Sequence, residues 1–126
     1  MINIDDLIGV RYKKNGRDKK GFDCYGLAME VSKRMGNNLP DLEIVHKDNY
    51  DFQECHKAII KEIKVKQVPE PQKEGDLILI EQLHGVMSHI GVYLGNRQVI
   101  HCDRHGTHID RLERLHGMIG KVYTWL

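Results

Sequence analysis

Apolar positions follow a helical period in the first half of the chain and a strand period in the second. Leu27, Ala28, Val31 and Met35 recur on one helical face, and Gly36-Asn37 supplies the stop. Asp23 is a preferred N-cap residue, which makes Cys24 the first helical residue. A second helix is expected over residues 51–66, with Phe52, Cys55, Ile59, Ile60 and Ile63 on its apolar face. Acids at its start and Lys61, Lys64 and Lys66 at its end suit the helix dipole. His56 falls at the edge of that stripe, on the solvent side.

Pro69 and Pro71 end the helical region, and the pattern beyond them is β-rich. Residues 76–81 contain four consecutive aliphatics, the mark of a strand covered on both faces. Residues 88–94 and 98–102 read as strands joined by Gly95-Asn96-Arg97, a hairpin signal. Residues 107–112 and 121–126 are further strands, while the first ten residues suggest a short helix ended by Gly9, and 37–49 a connecting loop. Helices followed by strands predict an α+β fold with a helix laid on an antiparallel sheet of about five strands.

The 126 residues are expected to form a single domain, 1–126, large enough for its own core. A net charge of +1 with 29% charged residues fits a soluble protein, and no apolar run is long enough for a membrane span. The opening Met-Ile-Asn-Ile-Asp-Asp has no signal-peptide character, so synthesis in the cytoplasm is expected. Residues 11–20 carry Arg11, Lys13, Lys14, Arg17, Lys19 and Lys20 against Asp18. With a turn pair at Asn15-Gly16 and only Tyr12 as an aromatic, the stretch reads as a solvated loop, and no nucleic-acid partner is expected.

Three cysteines, Cys24, Cys55 and Cys102, are an odd and scattered set that makes no disulfide scaffold. Cys55 belongs to a packed stripe. Cys24 is either a small buried hydrophobe or a thiol activated by the helix N-terminus. The second reading needs a base.

Strict alternation in Ser88-His89-Ile90-Gly91-Val92-Tyr93-Leu94 puts His89, Gly91 and Tyr93 on one face. Gly91 weakens a strand, which suggests close packing over that face, as by the helix carrying Cys24. A three-residue loop at 95–97 pairs Leu94 with Gln98 and Gly91 with His101, so His89 and His101 become diagonal neighbours on one face. A two-residue loop would separate them. His89 would then take the Cys24 proton, and His101 would orient the His89 ring. The coupled pair at rest would be a thiolate and an imidazolium.

Zinc is the first competing reading, because His101-Cys102-Asp103-Arg104-His105-Gly106-Thr107-His108 concentrates ligand types among the chain's eight histidines. No second pair occurs at finger-like spacing, and His101 and Cys102 would point to opposite faces of a strand. No metal or other cofactor is therefore expected.

Gly21-Phe22-Asp23-Cys24-Tyr25-Gly26-Leu27, Gly75-Asp76-Leu77, Ser88 to Gly95 and Val99-Ile100-His101 together resemble the NlpC family of papain-like cell-wall peptidases. Gly9-Val10-Arg11-Tyr12 is similar to that family's segment bearing a tyrosine near the nucleophile. The resemblance runs from about Leu7 to the C-terminus. It implies a papain-like fold and hydrolysis of amide bonds in peptidoglycan stem peptides, with Cys24 as nucleophile, His89 as base and His101 as third member. It also implies that Asp23 meets the stem peptide's amino group and that Tyr12 approaches the oxyanion.

The residue after the nucleophile is usually serine in that family, and here it is Tyr25, which would reshape the cleft. The Asp-Cys-Tyr variant resembles the branch found in phage tail assembly proteins. That implies a phage or prophage origin, tail proteins as partners, and delivery in a virion or release at lysis. The basic Lys13-Lys14-Asn15, replacing the family's usual aromatic and glycines, would face an acidic polymer such as the wall. The remaining alternatives are a non-catalytic tail or wall-binding component on the same fold, and a related thiol amidase or acyltransferase.

Overall fold

The computed structural model describes residues 2–42, 52–83 and 86–126. The side chains of Cys55 and His56, and the expected loop beyond residue 42, lie outside the described residues. Among the described residues there are two α-helices and eight strands: β1 (Arg17–Asp18), β2 (Gly21–Phe22), α1 (Cys24–Arg34), α2 (Phe52–Glu62), β3 (Val65–Val68), β4 (Leu77–Leu83), β5 (Val86–Gly95), β6 (Gln98–Asp103), β7 (Gly106–Arg111) and β8 (Ile119–Trp125). The expected N-terminal helix is a single 3-10 turn, Asp5–Leu7, and another 3-10 segment, Leu112–Met118, precedes β8.

The main sheet has six strands in the order β3-β8-β4-β5-β6-β7, all antiparallel, one more strand than expected. The C-terminal strand β8 is inserted between β3 and β4, away from its chain neighbour β7. Buried Asp76 helps fix this closure, since its carboxylate accepts from Gln72 N, Lys73 N and the Thr124 hydroxyl on β8. The residues expected to be basic solvated loop instead form the β1–β2 hairpin, with Asn15 at φ 59 in its approach. Among the described residues no helix is long and apolar enough to cross a membrane.

β4 is covered on both faces, as its aliphatic run predicts. Leu77 and Leu79 join the core beneath α1 and α2, with Leu27, Ala28, Val31 and Ile59. Ile78 and Ile80 join a second core with Val99, Val122 and Leu115 from the 3-10 segment. Ile90, Val92, Leu94, Ile100 and Cys102 belong to the first core, so the helices cover that face of β5 and β6. This corrects the expectation that α1 packs over Gly91. A Cβ at Gly91 would lie 2.7 Å from Val99 Cγ1 and 3.5 Å from His101 Cβ. The missing side chain makes room for the neighbouring strand, and the apolar face draws the helices because it buries more hydrocarbon.

Candidate active site

Cys24 opens α1 as expected. Asp23 has extended backbone (φ −88°, ψ −179°), and its Oδ1 accepts from Gly26 N at 2.7 Å, the side-chain cap that ends the preceding strand and starts the helix. The same oxygen accepts from Arg17 Nη1 at 2.7 Å, and Oδ2 accepts from Asn15 N at 3.2 Å. The hairpin β1–β2 thus clasps the first turn of α1. Gly26 permits this, because a Cβ there would collide with the Gly16 carbonyl.

Asp23 is buried. The amino-group contact implied by the resemblance concerns a carboxylate whose two oxygens are already held by the chain itself.

The start of α1 is anchored to the sheet next to the histidines. Cys102, adjacent to His101, donates its Sγ–H to the Phe22 carbonyl at 3.2 Å. Cys24 packs in one apolar cluster with Ile90, Ile100 and Cys102, the chain neighbours of His89 and His101. The N-terminal arm reaches the same end, with Gly9 N and Val10 O bonded to Thr107 on β7. Tyr12 then bridges in parallel to Phe22. Burial raises the Tyr12 phenol, and the charges of Cys24, Asp23 and Cys102 add to the effect, which places its hydroxyl in their field. Tyr12 remains 44% exposed.

Tyr25 requires a correction. It is fully buried, and its hydroxyl donates to the Pro40 carbonyl at 2.5 Å, so it braces the segment after α1 and does not line a cleft. An aromatic ring at the second position of α1 points inward, where apolar burial outweighs the cost of its one polar atom once that atom is paired.

The expected histidine pairing is present with a different turn. Val92 pairs with Ile100 and Tyr93 with Val99, the register that sets Gly91 opposite His101. Gly95 pairs with Gln98 across a two-residue turn, with Asn96 at φ 50 and Arg97 at φ 62, and a bulge lies between Tyr93 and Gly95. The bulge absorbs the residue that the expected three-residue loop would have used. Both histidines therefore share a face. His89 Nε2 lies 2.8 Å from His101 Nδ1, with both side chains buried.

Sequence reasoning missed the next partner. His101 Nε2 lies 2.8 Å from Asp110 Oδ2 on β7. His108 pairs directly with His101 across the strands, its ring 4.4 Å away, and its Nε2 is 3.3 Å from Asp110 Oδ2. The available signal was the alternation His108-Ile109-Asp110 on an expected strand after a short turn, which places both polar residues on the His101 face.

Donor and acceptor requirements assign the protons. The charged carboxylate of Asp110 can only accept, so His101 carries its proton on Nε2 and accepts at Nδ1. His89 then carries its proton on Nε2, which leaves His89 Nδ1 as a free lone pair. Burial would raise Asp110, but the His101 hydrogen bond, with the charges of His101, His108 and Arg114, takes it below the usual carboxylate value. Burial lowers His101 despite its bond to Asp110. Burial also pushes His89 down to about 3, with His101 adding to the effect. This direction opposes the resting imidazolium expected from the sequence. It favours a neutral ring at rest.

The chain resembles known proteins in sequence and in fold. The NlpC/P60 family model matches residues 9–124. The murein DD-endopeptidase MepS/murein LD-carboxypeptidase of Escherichia coli (strain K12) is 31% identical over 103 residues, covering 81% of this chain and 47% of that protein. The probable endopeptidase p60 of Listeria innocua is 26% identical over 106 residues, covering 83% of this chain and 19% of that protein. The chain thus matches about half the length of the first of these relatives and less of the second.

Among solved structures, the NlpC/p60 domain of the peptidoglycan hydrolase SagA superposes with a TM-score of 0.59 at 17% identity, covering 94% of this chain and 89% of that one. NlpC1 from Trichomonas vaginalis gives 0.66 at 16% identity, covering 96% and 42%. These likenesses confirm the papain-like α+β fold. With its family model spanning both the Cys24 helix and the histidine strands, the chain belongs to the NlpC/P60 family.

Proposed function

We propose that this chain is a cysteine peptidase that hydrolyses amide bonds in the stem peptides of bacterial peptidoglycan. The observation that carries the reading is the hydrogen-bond series His89–His101–Asp110, which leaves His89 Nδ1 free to accept a proton. Cys24 Sγ would lose its proton to that nitrogen and attack the amide carbonyl carbon. The developing oxyanion would meet the Cys24 backbone N–H, a donor at the positive end of α1, and the Tyr12 hydroxyl.

Collapse of the intermediate breaks the C–N bond as His89 returns its proton to the leaving amine, giving a thioester. Water, deprotonated by His89, then attacks the thioester, and the thiol leaves with that proton. Asp110 and His101 keep the His89 ring in the required tautomer throughout. In this reading Asp23 and Tyr25 hold the nucleophile's helix in place. The names of the murein endopeptidase relatives support the substrate class.

The setting we propose is a phage or prophage tail, supported by the Asp-Cys-Tyr variant of the nucleophile motif. Tail proteins would be its partners, and the wall would be reached with the virion or at lysis. Mass spectrometry of purified particles tests this, and absence of the chain from them would count against a virion component.

Cys24→Ala should abolish cleavage of purified peptidoglycan while leaving the circular dichroism spectrum unchanged. Mass spectrometry of the wild-type digest identifies the bond. Full cleavage by Cys24→Ala would end the proposal.

A further inference from the structure

The β6–β7 hairpin carries a cluster whose chemistry exceeds what orienting His89 requires. Ligand atoms of His101, Asp103 and His108 lie within 4.8 Å of one another. His108 Nε2 is 3.8 Å from Asp103 Oδ2 and 3.3 Å from Asp110 Oδ2, and His101 Nε2 is 2.8 Å from that same Asp110 oxygen. Tetrahedral zinc with bonds of 2.0–2.1 Å separates its ligand atoms by roughly 3.3 Å, so the set needs only small adjustments.

A second observation singles out His108. Its Nδ1 lies 3.0 Å from the Gly106 carbonyl, which can only accept, so Nδ1 carries the hydrogen and Nε2 is the nitrogen turned toward two carboxylates. A proton or a metal cation satisfies a nitrogen that faces two carboxylates, and with His101 alongside, the donor set is one that zinc takes. A ring held by a backbone carbonyl at one nitrogen and facing anionic ligands with the other is the arrangement of a metal-binding histidine. His101 is buried, while Asp103, His108 and Asp110 are partly exposed and leave an entry path.

We propose that His101, Asp103 and His108, with Asp110 as fourth ligand, form a site for a divalent transition metal such as Zn2+ that switches the catalytic relay off. Zinc takes the Nε2 lone pair of His101, and the proton there leaves to solvent. The His89 Nε2 proton passes to His101 Nδ1, and His89 takes a proton from water on its own Nδ1. Both rings stay neutral, but the nitrogen that would accept the Cys24 proton is now occupied. Metal binding stands on the hairpin geometry alone; the inhibition rests on the peptidase reading above.

Calorimetric titration of Zn2+ into Cys24→Ala, which lacks the reactive thiol, tests the site directly. One equivalent should bind, and adding Asp103→Asn should weaken binding about tenfold or more. Asparagine keeps the Oδ1 that accepts from His105 N and removes only the ligand oxygen. Co2+ in place of Zn2+ should show no thiolate charge-transfer absorption.

In otherwise wild-type protein, Zn2+ should inhibit peptidoglycan cleavage and a chelator restore it. Asp103→Asn alone should cleave at the parent rate but need about tenfold more Zn2+ for inhibition. Failure of Cys24→Ala to bind stoichiometrically, equal affinity in the Asp103 variant, or undiminished cleavage by the loaded enzyme would overturn the proposal. Metal-free wild type that leaves peptidoglycan intact would overturn the peptidase reading instead, and calorimetry would still decide the site.

Discussion

His101 Nε2 donates to Asp110 Oδ2 across 2.8 Å, and through this one bond a carboxylate on β7 determines which nitrogen of His89, a strand further on, is free. The ring between them transmits tautomer as well as position. A neutral histidine alone holds its neighbour weakly, because either of its nitrogens can carry the proton. Asp110 removes that ambiguity.

Asp110→Asn should therefore lower kcat about tenfold to hundredfold with little change in KM. The amide can present its NH2 to His101 Nε2 and stabilise the opposite tautomer. Steady-state kinetics on a soluble stem peptide, with the pH profile of kcat, checks this. A variant with wild-type kcat at every pH would remove Asp110 from the relay.

Tyr25→Ser restores the residue usual in the family but should not be neutral. It removes a fully buried ring and the brace to Pro40. A loss of about 3–5 kcal/mol in unfolding free energy is expected from the cavity. Tyr25→Phe, which keeps the volume, should lose only about 1 kcal/mol. Urea denaturation of the two variants separates packing from the hydrogen bond.

Gly26→Ala should destabilise by about 1–3 kcal/mol, because a methyl there meets the Gly16 backbone carbonyl, which has no flexible end to move aside. The strain falls on the clasp around Cys24, so cleavage should drop along with stability. Parallel measurements of melting temperature and activity test the coupling, and unchanged values in both would contradict it.

His89 makes stability pH-dependent. Its folded-state value lies near 3, below the ordinary histidine value of 6.5, because burial penalises the charged ring. Between those values the unfolded chain binds a proton that the folded chain does not. The contribution is therefore intact above about pH 6.5 and is lost as pH falls toward 3, with a limiting slope of about 1.4 kcal/mol per pH unit. His89→Gln, which can still donate to His101, should flatten this dependence. Urea midpoints from pH 7 to pH 4.5 provide the measurement, and parallel curves for the two proteins would refute the assignment.

The parts of the site that could be read along the chain rest on local physics. Asp23 caps the helix through a hydrogen bond three residues away, so the position of Cys24 follows from the sequence nearby. The shared face of His89 and His101 follows from strand alternation and a short hairpin. The register holds although a two-residue turn and a bulge replace the expected loop, because a slip would bury polar residues and expose Ile90, Val92 and Ile100.

Other features depend on contacts between segments distant in sequence, which the local pattern does not encode. The two apolar faces of β4 compete for the helices, and only the assembled sheet assigns α1 and α2 to the face of Ile90, Val92 and Ile100. The insertion of β8 between β3 and β4 rests on ladders between remote segments and is braced by the Asp76–Thr124 bond across 48 residues. Tyr25 turns inward because Pro40 offers its hydroxyl an acceptor.

Short-range pattern and motif carry the family, the helix that Cys24 opens and the shared face of His89 and His101. The tertiary structure decided the rest: that Asp110 completes the series, that His108 faces two carboxylates and that Tyr25 is core. Those outcomes turn on which polar groups find partners when remote strands are brought side by side.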